Sequence, residues 1–474
     1  MKISVYPSML QVVRITGEET VYRDLREYLS IPNPGAKYSK NHFASRTYFI
    51  TEKQGLASIG FLPIILKWCD SSNVPVELLD CRGVLPVFNP DFDRTDAGIT
   101  LRDYQEQAIV VGNNNLNGFP FPVGTLDLAT NAGKTYVAWF LRKAYGDCNM
   151  LILIPSSSIF RQTVKEYKEL FGDQVGVIYG TKMEWSPVII SSPKTIYNRM
   201  FEDGSITPKM WEDKGYKILA FDEMDLSTGS QFTQMLKKLP MPIRMGLSGT
   251  PRDHSDPKLV LRAVGNFGPT LMKVSKQDLI NRGISQRPVV HIIYVPPVYA
   301  DTYDDAMRVG IEDNPTRCHI IRTLLESRHK DENTLITCNH SVHAYNMYQN
   351  LKDLGDTEVT DSKDSSKNRK LDEFKEGKIT RLISTMIVKR GLNLPKIRVV
   401  VQAQGGKSKS TLSQVSGRGE RNDGVNESFT QYDFMDDSNF LRQHSLIRIG
   451  MYISEGFEVI FEYPAEPNGY PKLR

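Results

Sequence analysis

Short apolar runs alternate with helix-patterned stretches twice over along this chain, and that alternation restricts its fold more than any other feature. Between about Ile99 and Val274 the runs are Gly124–Leu128, Met150–Ile154, Val188–Ser191, Ile218–Phe221 and Arg244–Leu247. From near Gly283 onward they are Val289–Val295, Thr334–Thr337, Arg381–Ser384 and Arg398–Gln402. Strands separated by helices form crossover units and parallel sheets rather than hairpins. The expectation is an α/β chain with two tandem parallel-sheet domains, over residues 99–282 and 283–474, inviting a ligand between them. A small α+β module is expected ahead of them, over residues 1–81. It combines an alternating segment Gln11–Ile15, helical patterns at Val21–Leu29 and Leu62–Cys69, and a polar, basic stretch Pro34–Arg46. Residues 82–98, rich in Pro, Asp and Asn, read as a linker.

Composition adds bounds. The 474 residues exceed what one core organises, and 40% hydrophobic content supplies buried sheets. A net charge of +4 permits a polyanionic partner without requiring one. Cys69, Cys81, Cys148, Cys318 and Cys338 form no CxxC pair, so they read as free thiols with no zinc site. No apolar run approaches the ~20 residues of a membrane span, and the N-terminus does not read as a signal peptide. The chain therefore reads as soluble and intracellular, with no membrane partner.

Two strings carry chemistry. Thr125-Leu-Asp-Leu-Ala-Thr-Asn-Ala-Gly-Lys-Thr135 follows a β run and opens the helical pattern Tyr136–Lys143. Such a loop presents backbone N–H groups to phosphate oxygens, here from Thr130, Asn131, Ala132 and Gly133. Lys134 would reach the β- and γ-phosphates, and Thr135 would hold Mg²⁺. The loop's first glycine is replaced by Leu128. Asn131 stands where a further glycine is common, and Asn tolerates positive φ. The second string, Asp222-Glu-Met-Asp225, ends the run Lys217–Phe221. It supplies Asp222 for Mg²⁺ and Glu223 to orient and deprotonate a water. Either string alone has a commonplace reading, as a capped helix start or a solvated acidic turn. In this order within one α/β block they point to ATP and Mg²⁺.

The order of further motifs resembles superfamily-two helicases across about Ile99 to Tyr452. The resemblance implies two RecA-like domains and assigns roles to single positions. In Leu101-Arg-Asp-Tyr-Gln105, Gln105 would read the adenine edge with Arg102 in support. Pro155, Ser156 and Ser157, then Ser192 and Pro193, fall at nucleic-acid contact motifs. Ser248 and Thr250 of Gly246-Leu-Ser-Gly-Thr-Pro251, with Asp225, would couple hydrolysis to domain movement. Asn339, Ser384 and Thr385 fall at strand-contact motifs of the second domain, and Gly391 at its nucleotide side. Gln414-Val-Ser-Gly-Arg-Gly-Glu-Arg421 matches QxxGRxxR, which implies that Gln414 senses the γ-phosphate and that Arg418 and Arg421 are fingers onto ATP. DEAD-box RNA helicases share the acidic string but differ at Ser248-Gly-Thr250 and Gln414-Val415.

A closer resemblance, to bacteriophage UvsW-type helicases, extends through Val13-Arg-Ile15, Leu25-Arg-Glu-Tyr-Leu29, Gly60-Phe-Leu62 and the tail Tyr432…Tyr452. It implies an ATP-dependent DNA helicase of phage replication, recombination and repair. Expected partners are single-stranded and branched DNA and other phage replication and recombination proteins, in the host cytoplasm. Lys37, Lys40 and Arg46, interleaved with Tyr38, His42 and Phe43, suit phosphate contact and stacking, as do Lys407 and Lys409 beside the last motif. If residues 1–81 read branched DNA, their deletion would spare strand-stimulated hydrolysis. Two rivals differ in class: a duplex-tracking restriction-type translocase, and a non-hydrolysing ATP-gated DNA clamp.

Arg418 and Arg421 are three apart and would share one helix face. A finger neutralises charge that builds only in the transition state, and its loss costs about 10³–10⁵ in turnover. Arg418→Lys and Arg421→Lys should therefore each bind ATP almost normally and barely turn it over, because lysine lacks the planar fork. Steady-state ATPase at saturating DNA checks this; a loss under about tenfold in both points to surface charges instead.

Overall fold

The computed structural model describes residues 1–13, 19–33, 46–249, 256–285, 287–361, 363–385, 397–406 and 428–463. The chain divides into two compact units, Met1–Val274 and Ser275–Arg474. No helix among the described residues is long and apolar enough to cross a membrane.

The first unit opens with a four-stranded sheet of β1 (Lys2–Val5), β2 (Met9–Val13), β3 (Leu56–Ser58) and β4 (Glu77–Asp80), in the order β3-β2-β1-β4. β1 pairs antiparallel with β2 and parallel with β4. Helix Glu19–Tyr28 buries Tyr22 and Leu25, and helix Leu62–Ser71, with proline in its first turn, buries Leu62, Ile65 and Cys69. These are the helical patterns expected at Val21–Leu29 and Leu62–Cys69.

An eight-stranded sheet follows: β5 (Val123–Leu128), β6 (Asn149–Leu153), β7 (Val175–Tyr179), β8 (Lys182–Met183), β9 (Val188–Ser191), β10 (Tyr216–Asp222), β11 (Ile243–Ser248) and β12 (Thr270–Val274). Its order is β8-β7-β9-β6-β10-β11-β5-β12, and every pairing is parallel except the β7–β8 hairpin. The five expected runs are its five central strands. β7, β8 and β12 are additional. Thr270–Val274 sits at the edge, mostly half-buried and with Thr270 and Lys273 breaking its apolar residues, so it lacks the continuous apolar run of a central parallel strand.

Ser275–Arg474 holds a seven-stranded, all-parallel sheet: β13 (Arg287–Val295), β14 (Thr334–Thr337), β15 (Thr357–Thr360), β16 (Arg381–Ser384), β17 (Val399–Gln402), β18 (Ser428–Asp436) and β19 (Glu458–Glu462). The order is β15-β16-β14-β17-β18-β13-β19. Four of these strands are the expected runs. β18 is central yet carries buried Gln431, Asp433 and Asp436. These are satisfied by Tyr452 and by Arg448, whose Nε lies 3.0 Å from Asp433 Oδ2, and by Arg317 against Asp436. Buried charge is tolerated when paired in this way, and it hides the strand from an apolar-run search.

The stretch read as a linker is fastened down. Asn89 N–H donates to Ala144 O at 2.8 Å, Arg94 pairs with Glu106, Trp139 Nε1 donates to Asp96 at 2.9 Å, and Phe88 packs on Tyr145. The N-terminal module is not a pendant domain either: its core is continuous with Phe121, Val123 and Val264 of the eight-stranded part. Arg244, fully buried on β11, donates to Leu236 O, Leu239 O and Met241 O, and also to Pro7 O of the module at 3.1 Å. Burial pulls its guanidinium down to about 9, still charged at neutral pH.

Removing the module would bare three core side chains worth about 1.5–3 kcal/mol each, comparable in sum to the roughly 5–15 kcal/mol of a whole domain's stability. The shared core thus revises the expectation for its deletion. A chain lacking residues 1–81 should lose cooperative melting and ATPase on every DNA substrate. Near-normal single-strand-stimulated ATPase from that deletion would refute the shared core.

Candidate active site

Parallel strands deliver their C-terminal ends to one edge, and here three neighbours arrive in register. Asp127 on β5 pairs with Ser248 on β11, and Asp222 on β10 pairs with Leu247. The loop after β5 therefore lies beside the acidic string after β10. Crevices at such strand ends are where open α/β sheets hold ligands.

In the loop, Asn131 has φ 72° and Gly133 φ 77°. The positive φ expected of Asn131 is present. At Gly133 a side chain is also excluded, since a Cβ would fall 2.4 Å from Gln105 Nε2. Lys134 begins the helix Lys134–Ala144, and a helix N-terminus at this place suits phosphate oxygens. The Lys134 ammonium donates to Leu128 O at 3.0 Å and Ala129 O at 3.4 Å, folding back over the loop. Thr135 is tied from behind by Tyr167, whose hydroxyl donates to Thr135 O at 2.6 Å.

Gln105 is nearly buried and acts as a brace. Its Nε2 donates to Ala132 O at 2.8 Å and its Oε1 accepts from Arg102 N–H at 2.9 Å. Tyr104 hydroxyl reaches the same Ala132 O at 3.1 Å and accepts from Arg102 at 3.2 Å. The Gln105 amide thus holds the phosphate loop through Nε2 and the cap of its own helix through Oε1; both groups would have to exchange partners to read an adenine edge.

Beyond β10 the chain turns sharply. Glu223 has φ 53°, a left-handed conformation that non-glycine residues adopt only when their surroundings impose it. Its N–H donates to Asp222 Oδ1 at 3.0 Å. Desolvation pushes the Asp222 carboxyl above the usual carboxylate range, and Asp225 adds to this, against the pull of Lys134. A carboxylate held in that state favours a cation beside it. Asp222 and the Thr135 hydroxyl are hard oxygen donors, the set that suits Mg²⁺. Asp225 is buried, and Ser248 Oγ donates to its Oδ1 at 2.8 Å, joining the acidic string to β11.

Other candidates are more dispersed. Pro155 and Ser156 follow β6, with Ser156 and Ser157 at the start of helix Ser157–Phe171. Ser192 caps helix Pro193–Phe201, accepting from Thr195 N–H at 3.1 Å. Ser384 ends β16 and Thr385 follows it, both buried. Asn339 follows β14; its N–H donates to His343 Nδ1 at 3.3 Å and its amide to Glu312 at 3.2 Å. Burial and Arg317 hold His343 down to about 3, as a neutral acceptor. Arg46 donates to Ser30 Oγ at 2.7 Å. Lys37, Lys40, Thr250, Gly391, Lys407, Lys409, Gln414, Arg418 and Arg421 lie outside the described residues. Tyr104 and Tyr167 were not singled out by sequence. Tyr104 lies inside a motif that could have flagged it, whereas Tyr167 is indistinguishable from core by spacing.

Residues 98–253 match the family described as type III restriction enzyme, res subunit, and residues 316–423 match the helicase conserved C-terminal domain. With the phosphate loop, the paired carboxylates and the tandem parallel sheets, these make the chain an ATP-dependent helicase of superfamily two. Within that superfamily it is UvsW-like. It is 21% identical to the ATP-dependent DNA helicase uvsW of Enterobacteria phage T4, over 98% of this chain and 99% of that one. It is also 24% identical to the DNA 3'-5' helicase XPB of Kineococcus radiotolerans, over 66% of this chain and 55% of the relative. In fold it is similar to an HsdR subunit fragment of a type I restriction enzyme from Vibrio vulnificus, at TM-score 0.58 and 16% identity, over 89% of this chain and 76% of that fragment.

Two substitutions separate binding from chemistry. Lys134→Ala should abolish ATP turnover and weaken nucleotide binding. Glu223→Gln keeps the shape and removes the base, so nucleotide affinity should hold while turnover falls by roughly 10²–10⁴. Equal loss of nucleotide affinity in both would contradict the division of labour.

Proposed function

We propose that this chain is a phage DNA motor that hydrolyses ATP to remodel branched DNA, such as forks, Holliday junctions, D-loops or R-loops, in replication, recombination and repair. The observation that carries the reading is the extent of the likeness to a phage DNA helicase, which includes the N-terminal module. The bacterial relative above is matched over about two thirds of this chain.

In this reading the loop N–H groups of 130–133 and Lys134 bind the ATP phosphates, and Thr135 and Asp222 hold Mg²⁺, which neutralises phosphate charge when bound. Glu223, turned out of its strand by its left-handed backbone, orients the attacking water and takes its proton. Gln414, Arg418 and Arg421 complete the site by motif. Ser248 couples the site to the strand edge through Asp225. Pro155, Ser156, Ser157, Asn339 and the basic positions Lys37, Lys40, Arg46, Lys407 and Lys409 are the proposed DNA contacts. Ser192, Ser384 and Thr385 would contribute mainly through backbone, because their side chains are turned inward.

The type III restriction family match favours a second reading, a translocase that tracks duplex without parting it. ATPase, strand-separation and triplex-displacement assays across single-stranded, duplex, forked and four-way DNA decide between them. We expect strand exchange or separation on forked and four-way substrates. Triplex displacement with no separation on any junction would establish the second reading.

A further inference from the structure

Helix Pro257–Phe267 has two occupied sides, both within the first unit. Arg262 and Asn266 are four apart and share one face. That face meets the turn Met224–Thr228, which carries Asp225 immediately after the acidic pair. Asn266, 2% exposed, donates through Nδ2 to Ser227 O at 3.2 Å and lies 3.4 Å from Thr233 Oγ1. Arg262 donates to Thr228 O at 3.3 Å. At the end of the helix Phe267 packs edge-on against Phe221 of β10, ring centres 5.4 Å apart.

The adjoining face meets the N-terminal module at backbone distance. A Cβ on Gly60 would lie 2.1 Å from Val264 O and 2.3 Å from Gly268 N. A Cβ on Gly265 would lie 2.7 Å from the Phe61 ring. Gly60 thus lets the two backbones touch and Gly265 seats the Phe61 ring directly on the helix, and such a contact has no slack.

We propose that Asn266 is a positioning residue for ATP hydrolysis, and that the helix is a strut clamped between the N-terminal module and the acidic turn. The inference rests on the reading of Asp222 and Glu223 given above. Asn266 acts at one remove from the chemistry: its amide fixes the Ser227 carbonyl in a turn that begins one residue beyond Glu223. A turn held loosely lets the base drift, and misplacement of about 1 Å can cost roughly a hundredfold in rate. The module, bolted to the other side, sets where the strut stands. This gives the module a role in hydrolysis in addition to any contact with DNA.

The test uses the full chain with Asn266→Ala and Arg262→Ala, measuring ATPase with and without single-stranded DNA, affinity for a fluorescent ATP analogue, and thermal melting. We expect kcat to fall about tenfold to a hundredfold for Asn266→Ala and less for Arg262→Ala, with KM and analogue affinity within about threefold. A merely structural residue would instead lower melting temperature and leave the kcat of the folded fraction unchanged. A kcat within about twofold of the parent in a folded Asn266→Ala overturns the proposal. If Asn266→Ala does not fold, Arg262→Ala decides by the same criterion. Lys134→Ala, run alongside, separates the levels: if it retains ATPase, the site reading fails and the strut falls with it. If only the strut variants are unaffected, the site stands and the strut alone is refuted.

Discussion

Parallel pairing of β5, β11 and β10 is the constraint on which the rest of the first unit depends. Register fixes Asp127 opposite Ser248 and Leu247 opposite Asp222. A slip of one residue would turn each side chain to the other face of the sheet. Phosphate loop, acid pair and Ser248 then could not share an edge. The strands that fix this register are almost wholly buried on both faces, so hydrophobic packing specifies it without help from the site. The chemistry is thereby free to be strained: Glu223 keeps a left-handed backbone and Asp222 an unfavourable desolvation because neither determines where the strands lie.

Buried guanidinium groups are held in two ways, on carboxylates or on backbone carbonyls. In the second unit Arg317 and Arg448 meet Asp436 and Asp433; the carboxylates raise Arg448 against the cost of burial, while burial still pulls Arg317 down. In the first, Arg82 and Arg142 meet Asp80 and Asp147, whereas Arg244 donates to the backbone carbonyls of Pro7, Leu236, Leu239 and Met241. Carbonyls supply hydrogen bonds but no full countercharge, so desolvation dominates and the group is pulled down. One of those carbonyls belongs to Pro7. The ion therefore ties the module to β11, the strand that ends in Ser248, in a way no apolar contact would.

What could be read from sequence follows from how local the signal is. The nine expected β runs are all strands because central parallel strands are continuous apolar strings, visible without tertiary context. Among the strands that escaped, β12 lies at an edge and β18 carries polar residues paired with side chains far along the chain. The phosphate loop was legible as a contiguous string, and the φ of Asn131 follows from residue type. The role of Gln105 as a loop brace was not legible, since it depends on Ala132 O arriving from 27 residues away. Nor was the inward turn of Ser192, Ser384 and Thr385: a serine at a motif end has the same letter whether it caps a helix or faces a ligand. The attachment of residues 82–98 was hidden for the opposite reason. Proline and asparagine mark irregular backbone, and irregular backbone can be strapped to a core as firmly as a strand.

Fusion of the module to the first unit limits how such a motor can use it. Lys2–Val5 and its neighbours share a core with Phe121 and Val264, and Gly60 abuts the helix that holds the acidic turn. Motions that part packed cores are costly and cooperative, whereas hinge motions pass through segments with few contacts. The contact boundary of this chain lies at Val274–Ser275, not between module and first sheet. A nucleic acid gripped by the module must then be carried with the phosphate loop and the carboxylates as one body. The proposed action of the module on hydrolysis is then one of rigid contact rather than of independent swinging.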